Sequence, residues 1–215
     1  MPDRELLLLG GGGHAAVVAE SAILAGWTIA GMIDDRTDAT LPVPGVPHLG
    51  PHPRKSDEFS EQIQDLLAAG VSVHAAVGDG HLRQAWLSVF NAAPRATIIH
   101  PTAAVSGSAT IEPGVFIGPN AVVNARAVLG SNVIVNSGTV VEHDVHVGDH
   151  AHLAPRSVLA GESRVGAYTL IGTGAVVIPK IQVGANTILG AGSVAISDIP
   201  DEVTAVGSPA TIPPA

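Results

Sequence analysis

The sequence has no cysteine, which excludes disulfides, Cys-ligated zinc and a thiol nucleophile. Aromatic residues make up only 3% of its 215 residues, too few to fill the centre of an ordinary globular domain, so a thin core of aliphatics is expected. Basic residues are also scarce, with Lys+Arg 10 against Asp+Glu 19 and a formal net charge of −9. A protein that grips phosphate backbones has the opposite balance, so nucleic acid is not an expected partner. No run approaches the roughly 18 apolar residues of a membrane span, and no membrane partner is expected. The opening stretch has acids beside its four leucines and no small-residue cleavage pattern, so it does not read as a signal peptide. A cytoplasmic protein is expected.

Apolar residues reach 46%, with 25 glycines and 16 prolines, and they are arranged periodically. Stepping by six from Ile99 through Val105, Ile111 and onward to Leu189 and Ala195 meets 17 positions, all apolar. Chance would produce this in about one sequence in 10⁵. The next column is the control: it holds seven glycines and only four apolar residues. A six-residue period is a short strand and a turn with one aliphatic pointing at a shared axis. Three such sides close a triangular coil, and successive coils stack as parallel strands. Small residues two before the inward position (Ala121, Ala127, Ala151, Ser157, Ala175) and glycines such as Gly118, Gly130, Gly148 and Gly184 suit sharp corners.

The first 90 residues follow another pattern. Strands at Glu5–Leu9, Thr28–Ile33 and Val71–Val77 alternate with helices after Gly13, over Asp57–Ala69 and over His81–Phe90. This β-α-β-α-β-α order predicts a Rossmann-like α/β domain over 1–91, a linker over 92–98, a parallel β-helix over 99–198 and a C-terminal cap or tail over 199–215. Gly10-x-Gly12-x-x-Ala15 lies at the first strand-to-helix turn, with Asp34 and Asp35 at the next strand end. Such a turn brings N–H groups to phosphate oxygens, and an acid there binds ribose hydroxyls. One mononucleotide half fits a nucleotide or nucleotide-sugar better than NAD. The plain alternative is a tight turn in a vestigial domain.

Four of the ten histidines, His143, His146, His150 and His152, fall in one short stretch of the repeat. His143 lies between Glu142 and Asp144, either of which could orient its ring for general-base work. One coil further on, at 143+18, stands Gly161, whose bare backbone N–H suits a developing oxyanion. The alternatives are exposed structural histidines or a metal cluster. Lys180, Arg156 and Arg164 are candidate phosphate contacts within the solenoid.

Together, Gly12-Gly13-His14, Ile33-Asp34-Asp35, Val77-Gly78-Asp79 with Arg83, Ile99-His100-Pro101, Val141-Glu142-His143-Asp144 and Gly190-Ala191-Gly192-Ser193 carry a resemblance. So does the ending from Ile199 to Ala210. The chain resembles, over essentially its whole length, the bacterial sugar O-/N-acetyltransferases typified by sialic acid O-acetyltransferase and the N-acetyltransferases of nucleotide-linked 4-amino sugars. The resemblance implies a left-handed β-helix and a homotrimer with active sites between solenoids. Acetyl-CoA would be the co-substrate in the intersolenoid groove, and a UDP- or GDP-linked sugar would lie near the N-terminal domain. It also implies His143 as catalytic base, Asp144 or Glu142 as its orienting acid, and His152 as a second active-site histidine. Gly161, Gly190 and Lys180 would serve the acetyl-CoA side. Gly12, Gly13, His14, Asp34, Asp35, Gly78 and Asp79 would serve the sugar nucleotide. No metal is expected. Gly78-Asp79-Gly80-His81 departs from the pattern, with glycine where many members have asparagine.

The leading expectation is direct acetyl transfer to the amine of a nucleotide-linked 4-amino sugar. Three alternatives are O-acetylation of a free sugar such as sialic acid, a carbonic-anhydrase-like metal site built from His143, His146 and His152, and a non-enzymatic scaffold.

Overall fold

Leu6 to Leu9 are four consecutive leucines, all without solvent exposure, and a strand apolar on both faces must be central in its sheet. The computed structural model, which describes residues 4–214, puts it there. β1 (Arg4–Leu9) lies between β2 (Trp27–Ile33) and β3 (Ser72–Ala75), all parallel. The crossovers are α1 (Gly13–Leu24) and, after a proline-rich loop, α2 (Glu61–Ala68); α3 (Gly80–Val89) follows β3. The helix expected from Asp57 begins later, because Ser60 caps it by accepting from the N–H of Ile63, and Ser56–Glu58 form a separate 3₁₀ turn.

The described chain divides into two compact units after Pro101. Part of the segment expected as a linker runs along β3: the N–H of Val73 donates to Pro94 and that of Ala96 donates to Val73.

The second unit is a left-handed parallel β-helix of two-residue strands. Each strand pairs with the one 18 residues on, as Val140 with Val158 and Val158 with Val176. Inward residues such as Val141, Leu153, Leu159 and Ile171 are fully buried, each contributing roughly 1.5–3 kcal/mol. Ala121, Ser157 and Ala175 fill the corners and are equally buried. Every sixth residue from Gly114 to Gly192 has a positive φ, between 52° and 80°. Each corner is therefore a turn with a left-handed third residue. Asparagine or glycine fits there readily; Arg126, Asp144, Glu162 and Lys180 occupy it at about 1 kcal/mol each. Along the sheet through Val122, outward positions repeat one residue type: Val122, Val140, Val158, Val176 and Val194 stack in register.

Candidate active site

The corner after Val141 carries the histidine and both acids, and the backbone separates their roles. Asp144 has φ 60° and its N–H donates to Ala125 in the coil below. This turn brings its carboxylate beside the preceding side chain, with His143 Nδ1 2.8 Å from Asp144 Oδ2. A carboxylate only accepts, so Nδ1 carries the proton and Nε2 is left as the basic nitrogen. Glu142 faces along the strand instead, where its Oε2 accepts from Asn124 Nδ2 at 3.0 Å. Of the two acids, Asp144 is the one hydrogen-bonded to the His143 ring.

Asp144 is held from below as well. Arg126, one coil earlier, donates through Nε and Nη2 to its two oxygens, both at 2.7 Å. Hydrogen bonds from Arg126 and then from His143 keep its carboxyl well below the usual carboxylate range. From above, Gly161 lies against the His143 ring. Its N–H meets no acceptor among the described residues, while its carbonyl accepts from the N–H of Lys180. A charged cleft beside this corner is lined by Asp144, His146, Glu162, Arg164 and Lys180. Lys180 Nζ is 3.8 Å from Glu162.

Other residues singled out from the sequence lie elsewhere. His146–Val147 and His152–Leu153 belong to two different sheets of the solenoid, so the chain does not gather His143, His146 and His152 at one point. Among the described residues, no group of three or more His, Cys, Asp or Glu side chains could hold a metal ion. His152 Nε2 accepts from Asn136 Nδ2 at 3.2 Å. The Gly190 amide pairs with the carbonyl of Ala205, and a β-carbon there would come within 2.8 Å of Val206. Gly190 thus permits close packing and has no N–H to spare for a ligand. Arg156 stands at a different corner from Lys180.

In the first unit the glycine turn is held by an acid. Gly10 has φ +117°, and a β-carbon on Gly11 would overlap the sulfur of Met32 at 2.6 Å. The Gly11 N–H donates to Asp34 Oδ2 at 2.7 Å, while Oδ1 accepts from the Arg36 backbone and Nε. Burial pushes the Asp34 carboxyl up, but the hydrogen bonds from Arg36 and Gly11 outweigh it and hold it low. Asp34 therefore shapes the loop. Asp35 accepts from the His52 N–H and from Arg54. Gly12 is the N-cap of α1, with Gly13 and His14 in its first turn and an Arg36 nitrogen 3.9 Å from where a Gly12 β-carbon would lie. Asp79 caps α3 by accepting from Leu82 at 2.8 Å. Arg83, only 1% exposed, donates to the carbonyls of Val77 and Gly78. Burial lowers its pKa to about 10.

Sequence reasoning did not single out Arg36, Asn124 or Arg126 as site residues. The last two had a signal, since 126+18 is Asp144 and 124+18 is Glu142.

Two family models match the sequence: the PglD N-terminal domain over residues 5–90, and the bacterial transferase hexapeptide (six repeats) over 126–161. No curated protein matches it. Among solved structures, the perosamine N-acetyltransferase of Caulobacter crescentus is 38% identical with a TM-score of 0.87, covering 98% of this chain and 97% of that one. It was solved with CoA and GDP-perosamine and with one histidine replaced by asparagine or alanine. The acetyltransferase domain of PglB from Neisseria gonorrhoeae, with acetyl coenzyme A, is 34% identical at a TM-score of 0.86, covering 98% and 99%. WeeI from Acinetobacter baumannii, at 21% identity and a TM-score of 0.79 over 96% and 98%, shares the fold. With such identity sustained from end to end, the chain belongs to the hexapeptide-repeat sugar acetyltransferases that carry a PglD-type N-terminal domain.

Proposed function

We propose that this chain transfers the acetyl group of acetyl-CoA to the amino group of a nucleotide-linked 4-amino sugar, with a GDP- or UDP-linked sugar as acceptor. The observation that carries this reading is the His143–Asp144 pair set beneath a bare Gly161, in a chain so like an enzyme solved with CoA and GDP-perosamine.

The chemistry follows from those atoms. The amine nitrogen attacks the thioester carbonyl, and proximity of the two substrates supplies much of the rate. His143 Nε2 accepts the proton released as the C–N bond forms, while Asp144 stabilises the imidazolium. The Gly161 N–H donates to the oxyanion. The oxyanion then collapses to the amide carbonyl, the C–S bond breaks, and the His143 imidazolium returns its proton to the departing thiolate, so transfer is direct and needs no acyl-enzyme. Arg164 and Lys180, which share the cleft with Asp144, serve the phosphates of coenzyme A. The α1 turn at Gly12–His14 and the Asp35 loop serve the sugar nucleotide.

In this proposal the working enzyme is a homotrimer. The five stacked valines from Val122 to Val194 present an apolar sheet face, flanked by Ile196 at 53% exposure, that a second copy would cover. His143 is half exposed in the single chain, and a neighbouring solenoid bringing its His152 would exclude water from the base. The enzyme is proposed to act in the cytoplasm, where both co-substrates occur.

The test is release of free thiol from acetyl-CoA with a panel of GDP-, UDP- and dTDP-linked 4-amino sugars and free sialic acid. The cysteine-free protein adds no background. Turnover with one nucleotide amino sugar, lost in His143→Asn, is the expected result. Activity on sialic acid alone would make it an O-acetyltransferase, and silence throughout would overturn the acetyl-transfer reading.

A further inference from the structure

We propose that Arg126 is a positioning residue for His143: it acts through Asp144, fixing the carboxylate that faces Nδ1 and sharing its negative charge. The proposal rests on the reading of His143 as the base.

The geometry makes a chain of three side chains across two coils. Arg126 presents a planar fork to both oxygens of Asp144, and Oδ2 receives Nη2 at 2.7 Å and His143 Nδ1 at 2.8 Å. A two-point contact fixes the plane of the carboxylate as a lysine's point charge would not. The backbone beneath is fixed as well. The Arg126 N–H donates to Ser108 Oγ, that of Asp144 to Ala125, and that of Glu162 to His143. The Arg126 side chain is 65% exposed. An ion pair so open to water contributes little to folding, so its effect falls on orientation and charge.

The charge matters because a general base must be unprotonated when the amine arrives. Every charged group around His143 enters this balance. Asp144 favours the imidazolium, and Glu142 is occupied by Asn124. Glu162 and Lys180 oppose one another one and two coils above, and His146 and Arg164 lie across the cleft. Arg126 is the cation in direct contact with Asp144. Without it, the full carboxylate charge would fall on the imidazole, and the base would hold its proton to higher pH.

The experiment is the pH dependence of kcat/KM for the full chain with acetyl-CoA and its best amino-sugar nucleotide. Wild type is compared with Arg126→Met, Arg126→Lys, Asp144→Asn and His143→Asn. Arg126→Met is expected to lower kcat about tenfold with both KM values little changed, and to move the acidic limb to higher pH. Arg126→Lys should restore the limb but only part of kcat, and Asp144→Asn should move the limb down. A wild-type profile in Arg126→Met, or a fall in kcat with an unmoved limb, overturns the proposal while leaving the base reading intact if His143→Asn is inactive. An active His143→Asn would overturn both.

Discussion

A β-carbon on Gly161 would stand 2.6 Å from Nε2 of His143 and 2.7 Å from its Cε1, closer than such carbons approach anything in proteins. The glycine and the ring are one coil apart in sequence and in direct contact in space. Gly161 has no positive φ, so alanine there is compatible with the backbone. Gly161→Ala should fold with wild-type thermal stability and lose at least tenfold in kcat, because the ring must move off its acid. Full activity in this variant would mean that the ring position is unimportant.

The two acids beside His143 should separate cleanly. Asp144→Asn leaves an amide that can donate toward Nδ1 and invert the tautomer, so kcat should fall by roughly 10–100-fold. Glu142→Gln keeps an oxygen for Asn124 and should change kcat less than threefold. Steady-state kinetics of the pair decide it, and the reverse order would reassign the orienting acid.

A pH dependence of stability follows from the first unit. His74 is 2% exposed, its Nδ1 donates to the Ala96 carbonyl at 3.0 Å, and burial lowers its pKa to about 4. The unfolded chain, near 6.5, binds the proton first, so stability is complete above about pH 6.5 and declines as pH falls toward 4. The loss reaches about 3 kcal/mol at most. Both tryptophans, Trp27 and Trp86, lie in this unit, so their fluorescence during urea unfolding follows it alone. His74→Leu should flatten the slope, leaving the smaller part that His52, whose pKa burial also lowers, contributes with the same sign. It should cost about 1–3 kcal/mol at pH 7.5 by stranding the Ala96 carbonyl.

Arg83 should be needed for the loop at the C-terminal end of β3. Arg83→Met removes the donor to Val77 and Gly78. It is expected to destabilise the first unit by about 2–4 kcal/mol and to raise KM for the sugar nucleotide more than that for acetyl-CoA. Equal rises in both would detach the loop from nucleotide binding.

Prolonged dialysis against EDTA should leave turnover unchanged. A loss restored by added zinc would instead mean that histidines from separate copies share a metal.

Much of this architecture was readable without coordinates, because one inward aliphatic every six residues leaves the chain a single way to bury them. The contact of Gly161 with His143 followed from adding one coil. The choice between Glu142 and Asp144 did not, since it depends on the left-handed turn at Asp144 and on the side chains one coil below. Asn124 and Arg126 were legible by the same subtraction, had outward columns been read as closely as the inward one. The stacked valines were hidden for that reason too. Asp34 and Asp79 have backbone partners that the sequence did not announce. An acid after a strand or before a helix looks alike whether it meets a ligand or a backbone amide, and here Gly11 and Leu82 take them.

The left-handed corner that recurs every sixth residue also makes tolerance to length change quantised. Removing one residue would carry each later aliphatic out of the interior and move each strained corner onto a neighbour chosen for other duties. Removing a whole coil beyond Lys180 would leave Arg126 still beneath Asp144 and His143 still beneath Gly161. The scaffold can thus lengthen or shorten in whole storeys at its far end, while the floors that hold the chemistry must keep their number and order.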